Sequence, residues 1–128
     1  MILASGCFDG LHAGHVRYLQ AVKYATNEKV VVAVAPDAYI RETKHREPYW
    51  TQDERCYVVS QLPMVCDVLR QVEASVATLI GTYPITVFAK GMDWRDRLPE
   101  DVLEACRRKR VALLFVDTPG THTSEAIK

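Results

Sequence analysis

The sequence lacks a long apolar run, an excess of either charge, and a basic stretch that leads into an apolar one. No apolar run approaches the roughly 20 residues of a membrane-spanning helix, and the chain does not start like a secretory signal. The 16 basic and 16 acidic side chains give a formal net charge of zero, so any attraction for phosphate must be local. We therefore expect neither a membrane partner nor a nucleic-acid partner.

Cysteine is scarce and scattered. Cys7, Cys56, Cys66 and Cys106 form no C-x-x-C pair. This usage is typical of reduced thiols in a protein of the cytoplasm, which is where we expect the chain to work.

The sequence also lacks internal repeats, low-complexity tracts and linkers rich in glycine and serine. Its 128 residues, 48% of them apolar, fit a single domain over residues 1–128. A domain of this size buries roughly two-thirds of its unfolded surface, so it needs no disulfide or metal to hold it together.

Strand-like and helix-like patterns alternate along the chain. The β-branched run at residues 29–35 is typical of a strand buried on both faces, and Thr51 with Glu54 forms a capping box at a helix start. This alternation predicts an α/β fold: a single Rossmann-like domain with a five-stranded parallel sheet in the order 3-2-1-4-5 and helices on both faces. Strands are predicted at residues 2–8, 29–35, 64–71, 85–90 and 110–116. Helices are predicted at residues 14–25 and 74–81, and further helices are predicted to begin at residues 51, 99 and 123. Residues 36–50 are expected to be polar and irregular.

Parallel sheets bind ligands at the carboxyl ends of their strands, near the point where strand order reverses. Segments rich in glycine and charge follow four of the predicted strands: GCFDGLHAGH, PDAYIRETKHREPY, KGMDW and DTPGTHTS. In the order 3-2-1-4-5 the reversal lies between strands one and four. Residues 12–15 and 91–94 are therefore expected to face each other.

His12 and His15 are three residues apart at a predicted helix start, so they share one face of the helix. Gly14, between them, lets a ligand approach the backbone closely. The helix start also presents unpaired N–H groups and partial positive charge, which together favour a phosphate. Imidazoles can donate hydrogen bonds to phosphate oxygens and stabilise charge that moves during phosphoryl-type transfer.

Two other interpretations of this histidine pair compete with a phosphate site. A zinc site needs three or four ligands, and here two histidines stand without a supporting cysteine pair or an H-E-x-x-H pattern. The pair could instead be ordinary polar side chains satisfied within the fold, but its glycine-rich frame directly after an apolar strand favours the phosphate site.

The segment GCFDGLHAGH closely resembles the signature G-[TC]-F-D-x-x-H-x-G-H of the cytidylyltransferase-like nucleotidyltransferases. The resemblance covers nearly the whole chain. Within this family, the chain is similar both to the glycerol-3-phosphate cytidylyltransferases and to the adenylyltransferase domain that makes activated heptose. Class I aminoacyl-tRNA synthetases share H-x-G-H, but this chain is far too short for one and lacks a K-M-S-K-S stretch.

The resemblance assigns roles to basic residues in the segment after the predicted second strand and in the helix that follows it. It implies that Lys44 reaches the triphosphate and the substrate phosphate, as a catalytic residue beside His12 and His15. Arg46 or Arg41 could add positive charge there, and Arg46 is a candidate for substrate binding. Arg55 is implied to lie near the nucleotide and a dimer interface, the alternative being a surface arginine paired along its helix.

The segment KGMDW resembles the family's G-x-D-[WY]. The resemblance implies that Gly91 allows close backbone approach and that Asp93 and Trp94 border the nucleotide. Lys90 matches the K-G-x-D of the heptose type, whereas Trp94 matches the glycerol-phosphate type. Simple packing is the alternative for Trp94.

Residues 117–124 match the family's R-T-x-G-I-S-[ST]-T only in part. Gly120, Thr123 and Ser124 can be aligned as nucleotide-binding residues, and the last two could equally cap a helix. Asp117 stands where the family has an arginine, and His122 replaces the first serine.

The remaining signature residues surround the first turn. Gly6, Cys7 and Phe8 are candidates for lining the nucleotide site, with Phe8 also expected to pack and Cys7 read as a small residue near the phosphates. Asp9 is a candidate for substrate binding and is also expected to fix the turn through backbone hydrogen bonds.

The resemblance implies nucleotidyl transfer, most simply of CMP from CTP to a small phosphorylated or phosphonate alcohol, with release of pyrophosphate. An adenylyl transfer from ATP to a sugar 1-phosphate, or a non-catalytic nucleotide sensor on the same fold, are the alternatives. Magnesium is expected to arrive with the nucleoside triphosphate, with no metal held by the protein itself, and a homodimer is implied.

Overall fold

The computed structural model describes residues 1–117 of the chain. Its elements follow one another in the alternating order that the sequence predicts. They are β1 (Ile2–Gly6), α1 (Ala13–Ala25), β2 (Val30–Val34), α2 (Asp37–Lys44), α3 (Gln52–Ser60), β3 (Asp67–Arg70), α4 (Ala77–Thr82), β4 (Val87–Gly91), a 3-10 turn (Met92–Trp94), α5 (Glu100–Lys109) and β5 (Ala112–Val116).

The five strands form one parallel sheet in the order β3-β2-β1-β4-β5, which confirms the predicted topology. Each strand sends alternate side chains to opposite faces of this sheet. Val30, Val32 and Val34 of β2 pack in one core cluster, whereas Val31 and Ala33 pack in the other.

Helices cover both faces, as predicted. Leu19 of α1 and Val59 of α3 fill the first core cluster, and Ile80 of α4 and Val102 of α5 fill the second. The central strands are thus buried on both sides, which explains the unbroken apolar run of β2.

The largest difference from the sequence prediction is α2, because residues 36–50 were expected to be irregular. Pro36 precedes the first turn of α2, Asp37 and Lys44 suit the two ends of its dipole, and His45 ends it in the left-handed conformation at φ 55°. Ile40 is the buried residue of this helix. A helix anchored by a single apolar side chain leaves too weak a 3.6-residue pattern for the sequence to reveal.

Some element ends also differ from prediction. β1 ends at Gly6 because Phe8 turns the chain with a φ of 52°, outside the extended region. β3 begins at Asp67, later than expected, and α4 begins at Ala77. The helix predicted from residue 123 lies outside the described residues.

The strands that flank the reversal point separate at their carboxyl ends. β1 pairs with β4 only from Ile2↔Val87 to Ala4↔Ala89, although β1 stays paired with β2 as far as Gly6↔Val34. The gap opens between the two segments that were expected to face each other. Within residues 1–117, none of the helices has the length and apolar character needed to cross a bilayer.

Candidate active site

A groove of about 1270 Å³ runs over the carboxyl ends of the strands, where the sequence places the ligand. Segments after β1, β2, β3, β4 and β5 all contribute to its walls. Among the described residues it gathers every predicted site residue except Arg41 and Arg55: Gly6, Cys7, Phe8, Asp9, His12, Gly14, His15, Lys44, Arg46, Lys90, Gly91, Asp93 and Trp94.

The two histidines cap the helix on which they lie. The backbone N–H of His12 donates to Nδ1 of His15 over 3.1 Å, and the N–H of Gly14 donates to Nδ1 of His12 over 3.0 Å. The ring centroids are 3.9 Å apart. One sequence motif therefore starts α1 and fixes the orientation of both imidazoles.

These caps determine where each neutral imidazole carries its proton. Because Nδ1 of His12 and of His15 accepts a hydrogen bond, the proton of the neutral ring resides on Nε2. Burial, together with the nearby His12 and Lys44, lowers the pKa of His15 to about 4, and burial also lowers the pKa of His12. Both rings are thus neutral N–H donors at pH 7.

This geometry corrects one expectation about the start of α1. Unpaired N–H groups were expected to meet a phosphate directly, but those of His12 and Gly14 are occupied by the imidazole nitrogens. Through these caps, the positive end of the helix polarises the rings. The N–H groups of His12 and Gly14 are therefore not available to a ligand.

Phe8 supports the histidines from below. Its ring is 2% exposed, belongs to the first core cluster and lies 5.4 Å from the ring of His15 between centroids. The prediction that Phe8 packs is confirmed, and its place at the groove is that of a floor residue.

Lys44 supplies a cation at the groove. It is the last residue of α2, it is exposed, and no hydrogen bond or ion pair holds it within the part of the chain that the structure describes. It is close enough to lower the pKa of His15. The structure therefore brings together the three residues that the resemblance names as catalytic.

Asp9 connects the first loop to the segment before α3. Its carboxylate accepts hydrogen bonds from Nη1 of Arg46 at 2.8 Å and from the backbone N–H groups of Tyr49 and Trp50 at 2.9 and 3.0 Å. Burial opposes its ionisation, but these hydrogen bonds outweigh burial and hold the pKa of Asp9 below its usual value.

The predicted substrate contact of Asp9 needs correction on this evidence. The side chain of Asp9 is 1% exposed, with its oxygens occupied by protein donors, so it fixes the turn and positions the neighbouring loop. Arg46 binds Asp9 and lies over the ring of Tyr49 at 4.0 Å. Arg46 supports that ring, and because its side chain is 31% exposed at the groove it stays a candidate for substrate binding.

Arg55 lies outside the groove, and the predicted nucleotide contact is corrected here as well. Its side chain is fully buried. The guanidinium donates to the carbonyls of Cys7, Ala35 and Trp50 at 2.8, 2.7 and 3.1 Å and forms an ion pair with Asp37 at 2.6 Å. Arg55 thus joins the ends of β1 and β2 to the start of α2 and positions the site without touching a ligand.

The opposite wall of the groove contains Lys90 and Trp94. The ammonium of Lys90 lies 4.4 Å from the centroid of the Trp94 ring and donates to the carbonyl of Ser5 over 3.4 Å, in the gap between β1 and β4. Burial lowers the pKa of Lys90 to about 8. Arg97 also lies over Trp94, at 5.4 Å.

Gly91 provides room for the carboxylate of Asp93. A Cβ at position 91 would lie 2.8 Å from Oδ1 of Asp93, so a side chain there would displace the carboxylate. Asp93 is exposed at the groove and can accept hydrogen bonds from a ligand.

Cys7 is half-buried at the groove floor. Burial raises the pKa of its thiol in spite of the cations Lys44, Arg55 and Lys90 nearby, so it stays protonated at neutral pH. This supports its interpretation as a small packing residue. All four cysteines of the chain are free thiols.

Sequence reasoning missed several groove residues. Tyr18 donates its hydroxyl hydrogen to the carbonyl of Ala89 over 2.8 Å and lies three residues after His15 on the same helix, which was a usable signal. Ser75 follows β3, and the rule that ligands bind after strands would have found it. Tyr49 carried no signal of its own. Gly120, His122, Thr123 and Ser124 lie outside the described residues.

Comparison with known proteins identifies the family of the chain. The model of the cytidylyltransferase-like family matches residues 3–124. The chain belongs to this family. That membership places it among the nucleotidyltransferases, and the match includes both the H-x-G-H and the K-G-x-D segments.

Similar curated proteins are bacterial and carry the name bifunctional protein HldE. The one from Geobacter metallireducens is 31% identical over 94% of this chain, that from Wolinella succinogenes 34% over 100%, and that from Chromohalobacter salexigens 37% over 80%. This chain covers only 25%, 26% and 21% of their respective lengths. It is thus similar to about a quarter of each.

A solved structure shows the same fold. The crystal structure of a lipopolysaccharide core biosynthesis protein from Thermoplasma volcanium aligns with a TM-score of 0.74, covering 91% of this chain and 93% of that one. The two sequences are 24% identical, so the likeness bears on the fold alone.

Proposed function

We propose that this chain transfers a nucleotidyl group from a magnesium-bound nucleoside triphosphate to the phosphate of a small acceptor, with release of pyrophosphate. The observation that carries the proposal is the pair of neutral imidazoles, each held by a cap with its Nε2 as the donor. The cation Lys44, which has no hydrogen bond or ion pair within residues 1–117, shares their groove.

The proposed reaction is a direct in-line displacement. An acceptor phosphate oxygen attacks the α-phosphorus, the bond from that phosphorus to the bridging oxygen of the β-phosphate breaks, and pyrophosphate leaves with that electron pair. His12 and His15 donate to the non-bridging α-phosphate oxygens, where charge is redistributed. Lys44 balances charge on both the acceptor phosphate and the leaving pyrophosphate.

No strong general base is required, because the attacking phosphate is already ionised at neutral pH. The protein's contribution is orientation and electrostatic stabilisation. Magnesium enters with the triphosphate and shields its charge, and the exposed carboxylate of Asp93 could hold a water of that ion.

Two pairs of substrates are candidates. Trp94 favours CTP with a phosphorylated or phosphonate alcohol, by resemblance to the glycerol-phosphate type. Lys90 in K-G-x-D favours ATP with a sugar 1-phosphate, by resemblance to the heptose type. The similarity to the proteins named HldE adds weight to the second pair.

A two-stage assay tests the proposal. Thermal shifts with CTP, ATP, GTP and UTP in the presence of magnesium identify the nucleotide, and pyrophosphate release is then measured with phosphorylated alcohols, phosphonates and sugar 1-phosphates. We expect one nucleotide to stabilise the protein and one pair to release pyrophosphate. Nucleotide binding without release from any pair would contradict the proposal and favour a sensor.

A further inference from the structure

An exposed aromatic side chain on the groove has no role in the transfer described so far. Tyr49 is 72% exposed, lines the groove and follows α2 in the segment that leads to α3. A large exposed aromatic residue inside a groove is a candidate ligand contact, because aromatic rings offer a broad apolar face.

Tyr49 is held in place from two directions. Its backbone N–H donates to Asp9 at 2.9 Å, and the guanidinium of Arg46 covers one ring face at 4.0 Å while binding the same carboxylate at 2.8 Å. The ring also lies over the first loop, since a Cβ on Gly10 would be 3.9 Å from its Cδ2. The ring is thus held by Arg46 and the first loop while the side chain stays largely exposed.

Tyr49 and Trp94 belong to segments on opposite sides of the central strand β1. The histidines follow β1, the central strand, whereas Tyr49 belongs to the connection that follows β2 and Trp94 follows β4 on the other side. A transfer centre needs the nucleoside on one side and the acceptor on the other. Asp93 and Trp94, with hydrogen-bonding and stacking groups together, suit the nucleoside.

We infer that Tyr49 is a specificity-determining residue for the acceptor: its exposed ring receives the carbon skeleton, and Lys44 the phosphate, of a phosphorylated polyol or sugar. The inference rests on the proposed function. The C–H face of a polyol or sugar ring stacks on an aromatic face, and the nearby ammonium neutralises its phosphate.

The test measures binding without chemistry. Calorimetric titrations of glycerol 3-phosphate and of a hexose 1-phosphate are run on the protein with magnesium and a saturating α,β-methylene analogue of CTP or ATP, which cannot release pyrophosphate. Wild type, Tyr49→Ala and Tyr49→Phe are compared. Tyr24→Ala is the matched control, because Tyr24 is 89% exposed on α1 and does not line the groove.

We expect Tyr49→Ala to weaken binding of the better acceptor probe about five- to tenfold and to leave the affinity for the nucleotide analogue within about twofold. Tyr49→Phe and Tyr24→Ala should match wild type. A weaker nucleotide affinity in Tyr49→Ala with unchanged probe affinity would overturn the inference, as would wild type that binds neither probe.

The two proposals fail separately. Loss of probe affinity in Tyr49→Ala without pyrophosphate release by wild type would retain the acceptor site and reject the transfer. Pyrophosphate release by wild type with unchanged probe affinity in Tyr49→Ala would retain the transfer and reject the role of Tyr49.

Discussion

Nδ1 of His15 accepts the backbone N–H of His12 at 3.1 Å, so the second histidine of the motif caps the helix at the first. Nδ1 of His12 in turn accepts the backbone N–H of Gly14 at 3.0 Å. Structural and chemical roles are thus divided between the two nitrogens of each ring. Nδ1 holds the helix and Nε2 is the donor, which explains why two histidines suit this position better than two unconstrained cations.

The capping role predicts that His12→Asn and His12→Ala differ in stability. Asparagine supplies a side-chain oxygen in place of Nδ1 and is a preferred helix N-cap, whereas alanine leaves the N–H of Gly14 without its partner. Urea unfolding should place His12→Ala about 1 kcal/mol below wild type and His12→Asn close to wild type. Equal stability of the two variants would contradict the cap.

The buried imidazole of His15 predicts that stability falls with acidification. Its pKa is about 4 in the folded protein, against about 6.5 in an unfolded chain, so the unfolded state binds the extra proton between these values. The free energy of unfolding should therefore fall by about 2 kcal/mol between pH 7 and pH 5 from this residue. His15→Gln, which does not titrate, should lose less over the same range in urea titrations.

The buried contacts of Arg55 predict that replacing this residue causes a large loss of stability. Arg55→Met removes four hydrogen bonds made to three loops and leaves Asp37 without its partner, so the free energy of unfolding should fall by about 3–5 kcal/mol. Arg107→Met is the control. It removes exposed pairs with Glu100 and Glu104 and should have no measurable effect. If Arg55→Met unfolded like wild type but bound nucleotide more weakly, a direct nucleotide contact would be indicated.

The lowered pKa of Lys90 predicts that nucleotide affinity depends on pH. Burial lowers its pKa to about 8, against the attraction of Cys7 and Asp93, so the ammonium loses its charge as the pH rises from 7 to 9. The dissociation constant of the nucleotide should increase several-fold over this range for wild type. The increase should be absent in Lys90→Met and retained in Lys23→Met, whose side chain lies on the exposed part of α1. A flat profile for wild type would contradict the role of Lys90.

The sheet and the main site segments could be predicted because their signals are local. The alternation of apolar and helical patterns indicated a parallel sheet with helices on both faces, and the position of each polar segment after a strand placed His12, His15, Lys44 and Asp93 on one groove. Glycine-rich turns and a capping box are short patterns that the sequence displays directly.

The errors concern partners distant in sequence. Arg55 contacts Cys7 across 48 positions and Asp9 contacts Trp50 across 41, and nothing in one sequence indicates which carbonyl or N–H a buried charge will meet. The helix α2 escaped prediction because Ile40 is its buried residue. The orientation of the imidazoles also needed the structure, since spacing alone does not say which nitrogen accepts.

The central claim is that the Nε2 donors of the histidines act on the transition state more than on the bound nucleotide. The most direct measurement is the steady-state rate of pyrophosphate release by wild type, His12→Asn and His15→Ala with the active substrate pair, at varied nucleotide concentration. The account predicts that kcat falls about 100- to 1000-fold in both variants, while KM for the nucleotide changes less than about threefold. Unchanged kcat in either variant, or a loss confined to KM, would contradict it.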